Sequence, residues 1–398
     1  MKKLKSYINK ITGEQGQSSE NKTAAYTGVF FVITLVAVFL INIVIPDKSF
    51  SAAENRMLQE FPHVSASSYL GGRLKSKMES YVNDQFLMRG AFIKVKSAID
   101  TTEGELKANG VYRAGAGYLI EDIVIPRKET IDGAEAALKD FKARYPNINM
   151  TFLLAPNAGN VLKDKLPATV RLADQNKSMN SFYENIKAFG INTVDVRNIF
   201  KKKKNDVQIY YRTDHHWTSD GAYLAYRELV PALGIGAPID FRSRIVKNDS
   251  AGTLYSKSGF TGGRYDSIKI NIPKDEKSAK PSVIYYADTK KKTTKFYLLG
   301  NLGKKDAYTV FGGSNHPMYT VKTPTESNKR LLLIKDSYAN SVIPMLAQHY
   351  REIVVIDPRY YFDNVDDLIG AEGITDVLFL YNANTFFADD SLRMMLNE

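Results

Sequence analysis

Two short segments of the chain carry residue types that acyl chemistry needs. The first is Thr213-Asp214-His215-His216-Trp217, which holds the only tryptophan and two of the five histidines. An aspartate two positions before a histidine can set a carboxylate beside an imidazole on one loop. There it orients the ring and favours its charged form. The second segment is Lys335-Asp336-Ser337-Tyr338-Ala339-Asn340-Ser341, directly after the apolar run Leu331 to Ile334. A serine at a strand-to-helix turn is displayed on the edge of a sheet, and the helix start supplies N–H groups and a field that favour a developing oxyanion. The logic is that of a nucleophile elbow without its usual glycine pattern. Taken singly, each segment has a plainer explanation: a helix-capping aspartate with partly exposed histidines, and an ordinary Asp/Ser cap. Taken together, a serine at one strand end and an Asp-x-His at another make the minimum set for acyl transfer.

Other polar residues widen the choice. The backbone N–H of Ser337 is one expected oxyanion donor. Asn315, in Gly312-Gly313-Ser314-Asn315-His316, is the candidate side-chain donor, with Asn340 and Asn157 as further ones; each also suits a plain turn. Asp214, His215, His216 and His316 pose a zinc site as the rival chemistry. Adjacent histidines on a loop point apart, and no His-x-x-x-His or cysteine pair helps, so no metal and no cofactor are expected. Arg359 follows a strand and can hold an anionic substrate group or a salt bridge. His63 and His349 have no evident partner and read as structural.

These segments need elements to position them. Residues 47–65 read as an irregular connector. Leu70, Leu74, Met78, Tyr81 and Val82, then Phe92, Val95 and Ile99, recur at helical spacing. A glycine-punctuated stretch follows, with short strands expected at Val111-Tyr112 and Tyr118-Leu119-Ile120. Strands are then expected at Ile148–Leu154, Ile191–Val196, Arg330–Ile334, Ile353–Ile356 and Val377–Tyr381. Helices are expected over Ala134–Tyr145, from Leu172 to Phe189, over Thr218–Leu233 with Thr218 or Ser219 as cap, and over Val342–Tyr350. This alternation implies a parallel sheet covered on both faces, whose C-terminal strand ends carry ligands. Residues 234–330 break the rhythm and read as antiparallel strands and loops inserted between two halves of the core.

The chain has 398 residues, no cysteine and a formal charge of +11. Residues 23–46 contain no charged residue, enough apolar length to cross a bilayer. The stretch has no polar face, as a core helix would, and exceeds a usual signal core, so a retained anchor is expected, although Ser51-Ala52-Ala53 offers a cleavage site. Five lysines against two glutamates in the first 22 residues place that end in the cytoplasm and the remainder outside. The expected organisation is a tail at 1–22, an anchor at 23–46, a connector and helical region at 47–130, and an α/β domain at 131–398. A basic outer domain attracts anionic wall polymers or headgroups, and an outward-facing domain has no nucleic-acid partner.

The sequence resembles the DHHW family of bacterial surface proteins, which is similar to the alginate O-acetylation proteins with SGNH-hydrolase-like domains. The resemblance rests on Glu54-Asn55-Arg56, Asp84-x-Phe86-x-x-Arg89, the Gly115–Ile120 turn, Asp214-His215-His216-Trp217, Lys335-Asp336-Ser337-Tyr338 and Asp357-x-Arg359-Tyr360-Tyr361. It implies a flavodoxin-like, SGNH-type α/β fold with Ser337 as nucleophile, His216 as general base and Asp214 as its orienting partner. The chain departs from the alginate proteins at His215, and from typical SGNH enzymes in that its serine block comes after the Asp-His pair instead of first. The expected function is O-acyl transfer, acetyl above all, onto or off a cell-envelope polysaccharide. The resemblance also implies a membrane-bound O-acyltransferase partner as acyl donor. The alternative is a non-catalytic glycan-binding or scaffold protein.

Overall fold

The computed structural model describes residues 19–51, 56–62, 73–260, 264–275 and 279–397. It divides into two compact units, residues 1–93 and 94–398. His63, Leu70 and the Ala52-Ala53 pair lie outside the described residues.

The first unit contains the helix Ser19–Val44, of which Thr23–Val44 is long and apolar enough to cross a membrane. Phe30, Phe31 and Phe39 stand exposed along it, which the core of a soluble domain would not allow. Beyond it, β1 (Phe50–Ser51) pairs antiparallel with β2 (Arg56–Met57), so the expected connector holds a small ribbon. The helix Arg73–Gln85 follows.

In the second unit, β3 (Lys107–Ala108), β4 (Val111–Arg113) and β5 (Leu119–Glu121) form an antiparallel sheet. Residues 94–130, grouped with the N-terminal region in the sequence reading, thus fall in the larger unit. The main strands are β6 (Asn149–Ala155) and β7 (Asn192–Val194), then β8 (Phe241–Ser250) and β9 (Asp266–Pro273). Further along come β10 (Val283–Tyr286), β11 (Lys291–Thr293), β12 (Met318–Lys322), β13 (Arg330–Lys335), β14 (Glu352–Ile356) and β15 (Asp376–Asn382). Eight of them share one sheet in the order β11-β10-β12-β14-β13-β15-β6-β7. The five strands expected at Ile148–Leu154, Ile191–Val196, Arg330–Ile334, Ile353–Ile356 and Val377–Tyr381 lie in it side by side and parallel, from β14 to β7.

The inserted segment is antiparallel as expected, but it splits. β8 and β9 form a separate ribbon, whereas β12 joins the main sheet antiparallel to β14 and β10 and β11 extend it by further antiparallel pairing, which makes the sheet mixed. Residues of β13, β14 and β15 alternate between two apolar clusters. Leu331, Leu333, Ile353, Val355, Leu378 and Leu380 face one, beneath the helix Ser219–Leu233. Leu332, Ile334, Val354, Ile356, Val377 and Phe379 face the other, beneath Lys128–Arg144 and Gln175–Ala188. Burial on both sides explains why these strands read as unbroken apolar runs.

Counted from β13, the parallel part has the order second, first, third, fourth, fifth, which is flavodoxin-like. The fourth and fifth strands, β6 and β7, simply come first in the chain. The late serine block is therefore at the end of the topologically first strand. The switch point, where ligands bind in such sheets, falls between β13 and β15.

Two expectations change in detail. The strand at Ile191–Val196 stops at Val194, because the Asp195 carboxylate accepts from the Arg197 N–H at 3.0 Å and turns the chain into a helix. The helix expected over Val342–Tyr350 is only Ile343–Leu346, preceded by a 3-10 turn at Ser337–Ser341. Pro344, which has no N–H to give, sits in its first turn, so Ser337 opens a tight turn instead of a long helix.

Candidate active site

The loop bearing Asp214 and His216 is closed at its base. Tyr210 and Trp217 form an isolated antiparallel bridge, and the Thr218 N–H donates to the Ile209 carbonyl at 2.7 Å. Asp266, on β9, holds the near side by accepting from the N–H groups of Arg212 at 2.7 Å and Thr213 at 2.8 Å, and from the Thr213 hydroxyl at 2.7 Å. The buried Trp217 indole donates to the Tyr338 carbonyl at 3.0 Å and the Ser341 hydroxyl at 2.9 Å, tying this loop to the serine turn.

The Ser337 turn leaves the end of β13. Asp336 caps it by accepting from the Tyr338 N–H at 2.9 Å, and its second oxygen accepts from the Asn382 N–H at 2.9 Å, at the end of β15. No acceptor bonds the Ser337 N–H among the described residues.

Ser337 Oγ lies 2.8 Å from His216 Nε2, and His216 Nδ1 lies 2.6 Å from Asp214 Oδ1. A carboxylate accepts only, so the proton sits on Nδ1 and Nε2 is left to accept from the serine hydroxyl. Asp214 is held from both sides: Oδ1 also accepts from the His216 N–H at 3.0 Å, and Oδ2 accepts from the Thr253 N–H at 2.8 Å and hydroxyl at 3.0 Å. Burial alone would raise the Asp214 pKa. The neighbouring imidazoles of His216 and His215 and these hydrogen bonds outweigh it and hold the carboxyl well below its usual range.

His215 points elsewhere. Its Nδ1 lies 2.7 Å from the Thr253 hydroxyl, and burial, reinforced by His216, pushes its pKa down to about 4. Donor atoms of Asp214, His215 and His216 all lie within 4.8 Å of one another. Yet Asp214 and His216 spend theirs on the bonds above, and the chain would have to give those up to bind an ion. His316, the fourth member of the rival metal set, instead bonds Asp288 at 2.8 Å.

The remaining candidates are placed as follows. Asn315 is half-buried in the bend before β12 and makes no hydrogen bond to Asp214, His216 or Ser337 among the described contacts. Asn157 belongs to a buried amide network, donating to Glu121 at 3.2 Å and accepting from Gln175 at 2.7 Å. Arg359 clasps Asp357 with two N–H groups, at 2.8 and 2.7 Å, and the buried Lys335 ammonium stands 3.5 Å from the same carboxylate. The salt-bridge alternative for Arg359 is thus realised. His349 bonds the Tyr226 hydroxyl at 2.7 Å.

Sequence reasoning missed Asp266, Gly252, Thr253 and Tyr308, all from the inserted segment. Nothing in Ser250-Ala251-Gly252-Thr253 advertises a carboxylate cradle, and Tyr308 is one of 24 tyrosines. Gly252 is required by contact: a Cβ there would collide with Asp214 Cβ and sit 2.7 Å from its Cα. Gly252→Ala should therefore push Asp214 away from Thr253. We expect a stability loss of about 1–3 kcal/mol by urea melt, and about 100-fold slower reaction of Ser337 with a sulfonyl fluoride. Wild-type behaviour in both measurements would mean that the loop yields freely.

Residues 122–241 match the family model of the SGNH hydrolase-like domain, acetyltransferase AlgX. The match takes in Asp214 and His216 and ends before Ser337. No curated protein matches the chain. Among solved structures, a DHHW family protein from Eubacterium siraeum is 22% identical with a TM-score of 0.62, over 72% of this chain and 95% of that one. PatB1 from Bacillus cereus, solved with a sulfonyl adduct, is 21% identical with a TM-score of 0.59, over 71% of this chain and 96% of that one. The fold is SGNH-like α/β, and the resemblance read from the sequence is found again in both comparisons.

Proposed function

We propose that the chain is a membrane-anchored, extracytoplasmic O-acyltransferase or esterase, with acetyl as the acyl group and a cell-envelope polysaccharide as its substrate. The observation that carries this reading is the unbroken hydrogen-bond chain from Asp214 through His216 Nε2 to Ser337 Oγ, between segments 121 residues apart in sequence. The match to an acetyltransferase domain family supports the choice of acyl group.

In this reading Ser337 Oγ attacks the carbonyl carbon of an acyl donor while its proton passes to Nε2. Asp214 stabilises the resulting imidazolium. The Ser337 N–H, bonded to no acceptor among the described residues, is the proposed donor to the developing oxyanion. As the donor's C–O bond breaks, its leaving oxygen takes the proton from Nε2. A sugar hydroxyl, or water in the esterase direction, then gives its proton to Nε2 and attacks the acyl carbon, and as the acyl–serine bond breaks Ser337 Oγ takes that proton back from Nε2. The Thr23–Val44 helix anchors the chain, and the lysine-rich end stays in the cytoplasm. Acetyl-CoA does not occur outside the cell, so a membrane-bound O-acyltransferase is the proposed source of acyl groups.

A charged, membrane-impermeant sulfonyl fluoride tests both nucleophile and orientation. Applied to intact cells, it should leave one adduct, on the peptide containing Ser337, read by mass spectrometry. Labelling only after lysis would reverse the orientation, and an unlabelled Ser337 in the lysate would remove the nucleophile.

A further inference from the structure

We propose that Tyr308 is a positioning residue for this acyl transfer, its ring face bracing the His216 imidazole as it takes up charge and its hydroxyl anchoring the backbone of Ser337. The inference rests on the function proposed above. Tyr308 lies outside the hydrogen-bonded trio, on the 3-10 turn Ala307–Val310 of the inserted segment.

The geometry joins base and nucleophile through one side chain. The Tyr308 ring stacks on the His216 ring with centroids 3.6 Å apart and planes 8° apart. Its hydroxyl donates to the Ser337 carbonyl at 3.1 Å. Burial pushes the phenol pKa far up, so it remains a donor. The turn itself is fixed: Asp306 caps it by accepting from the Tyr308 N–H at 3.0 Å, and Phe311 packs on the ring at 5.0 Å. An aromatic face is the negative end of a quadrupole and attracts a cation laid over it, more strongly where water is excluded. His216 is fully buried. The ring therefore favours imidazolium, the form that exists while the serine proton is in transit.

Other groups face the same imidazole. Asp214, His215 and Tyr338 surround it directly, the last with ring centroids 5.1 Å away. The negative charges of Asp336 and Asp306 also act on Tyr308. Asp306 lines a small cavity with Asp214 and Tyr211, and burial together with the Asp214 charge pushes its pKa up to about 7. A pH profile must separate this carboxyl from the ring.

The experiment is the rate of Ser337 modification by phenylmethylsulfonyl fluoride between pH 5 and 9, measured on the full chain in detergent. Tyr308→Leu should lower the plateau rate about tenfold and move the acid midpoint down by about half a unit or more. Tyr308→Phe keeps the ring face and should keep the midpoint, losing only about threefold in rate with the Ser337 anchor. Should the leucine variant fail to fold, progressive ring fluorination of a phenylalanine at 308 empties the ring face without changing its shape, and the midpoint should fall in step. Asp306→Asn preserves the cap and should leave the midpoint in place. A midpoint that moves with Asp306→Asn but not with the ring variants overturns the proposal, as does one that moves with neither. Absence of wild-type modification at every pH would instead overturn the parent reading of Ser337.

Discussion

Ser337→Ala should abolish acyl-ester turnover, with a fall of about 10⁶-fold or to the detection floor, while the protein stays folded. The substitution removes one oxygen, and that oxygen's bond in the structure is to His216 Nε2 at 2.8 Å. The contacts that hold the turn are made by backbone atoms and persist: the Tyr308 hydroxyl on the Ser337 carbonyl, and the Asp336 cap on the Tyr338 N–H. Thermal unfolding should shift by no more than about 1 kcal/mol. The assays are hydrolysis of 4-nitrophenyl acetate by purified protein and acetyl content of the envelope polysaccharide in cells carrying the variant. Full polymer acetylation by Ser337→Ala would leave a binding or scaffold role in place of catalysis.

Asp214→Asn should be nearly as severe, at about 10⁴-fold, and for a different reason. The carboxylate accepts from two donors on His216 and two on Thr253. An amide cannot accept on both sides. With its NH₂ turned to His216, it donates to Nδ1, forces the proton onto Nε2 facing Ser337, and confronts the His216 N–H. With its NH₂ turned to Thr253, it confronts the Thr253 N–H, a buried clash of donors costing about 1–3 kcal/mol. Either arrangement sets a buried donor against a backbone N–H and costs stability, and only the first also silences the base. The urea midpoint should fall in both cases, and turnover reports which way the amide sits. Wild-type turnover would remove Asp214 from the mechanism.

The parts of this site legible in the sequence were those with a local signature. Asp214 and His216 share one loop, and Ser337 follows a four-residue apolar run, so spacing and hydropathy locate them. The parallel strands were legible for the same reason, since burial on both faces writes an unbroken apolar run. What could not be read was contact across long separations. Asp266 holds Thr213 from 53 positions away and Thr253 holds Asp214 from 39, and neither leaves a pattern in its own neighbourhood. The helix after Ser337 was over-read because Val342 to Tyr350 is apolar enough for either a helix or buried turns. Arg359 was ambiguous because its partner, Asp357, lies two positions away and is equally apt for a turn.

The permuted strand order has a consequence for how the molecule comes into being. β6 bonds β15 along one edge and the three-residue β7 along the other. A chain made from its N-terminal end delivers β6 long before residues 376–382 arrive. Until then a seven-residue, mostly apolar edge stands unsatisfied, which invites mispairing and slows folding through long-range closure. The last strand then inserts between β6 and β13. Synthesis order thus sets an order of assembly: β13, with its serine turn, is joined to β6 only when β15, the last strand made, pairs with both.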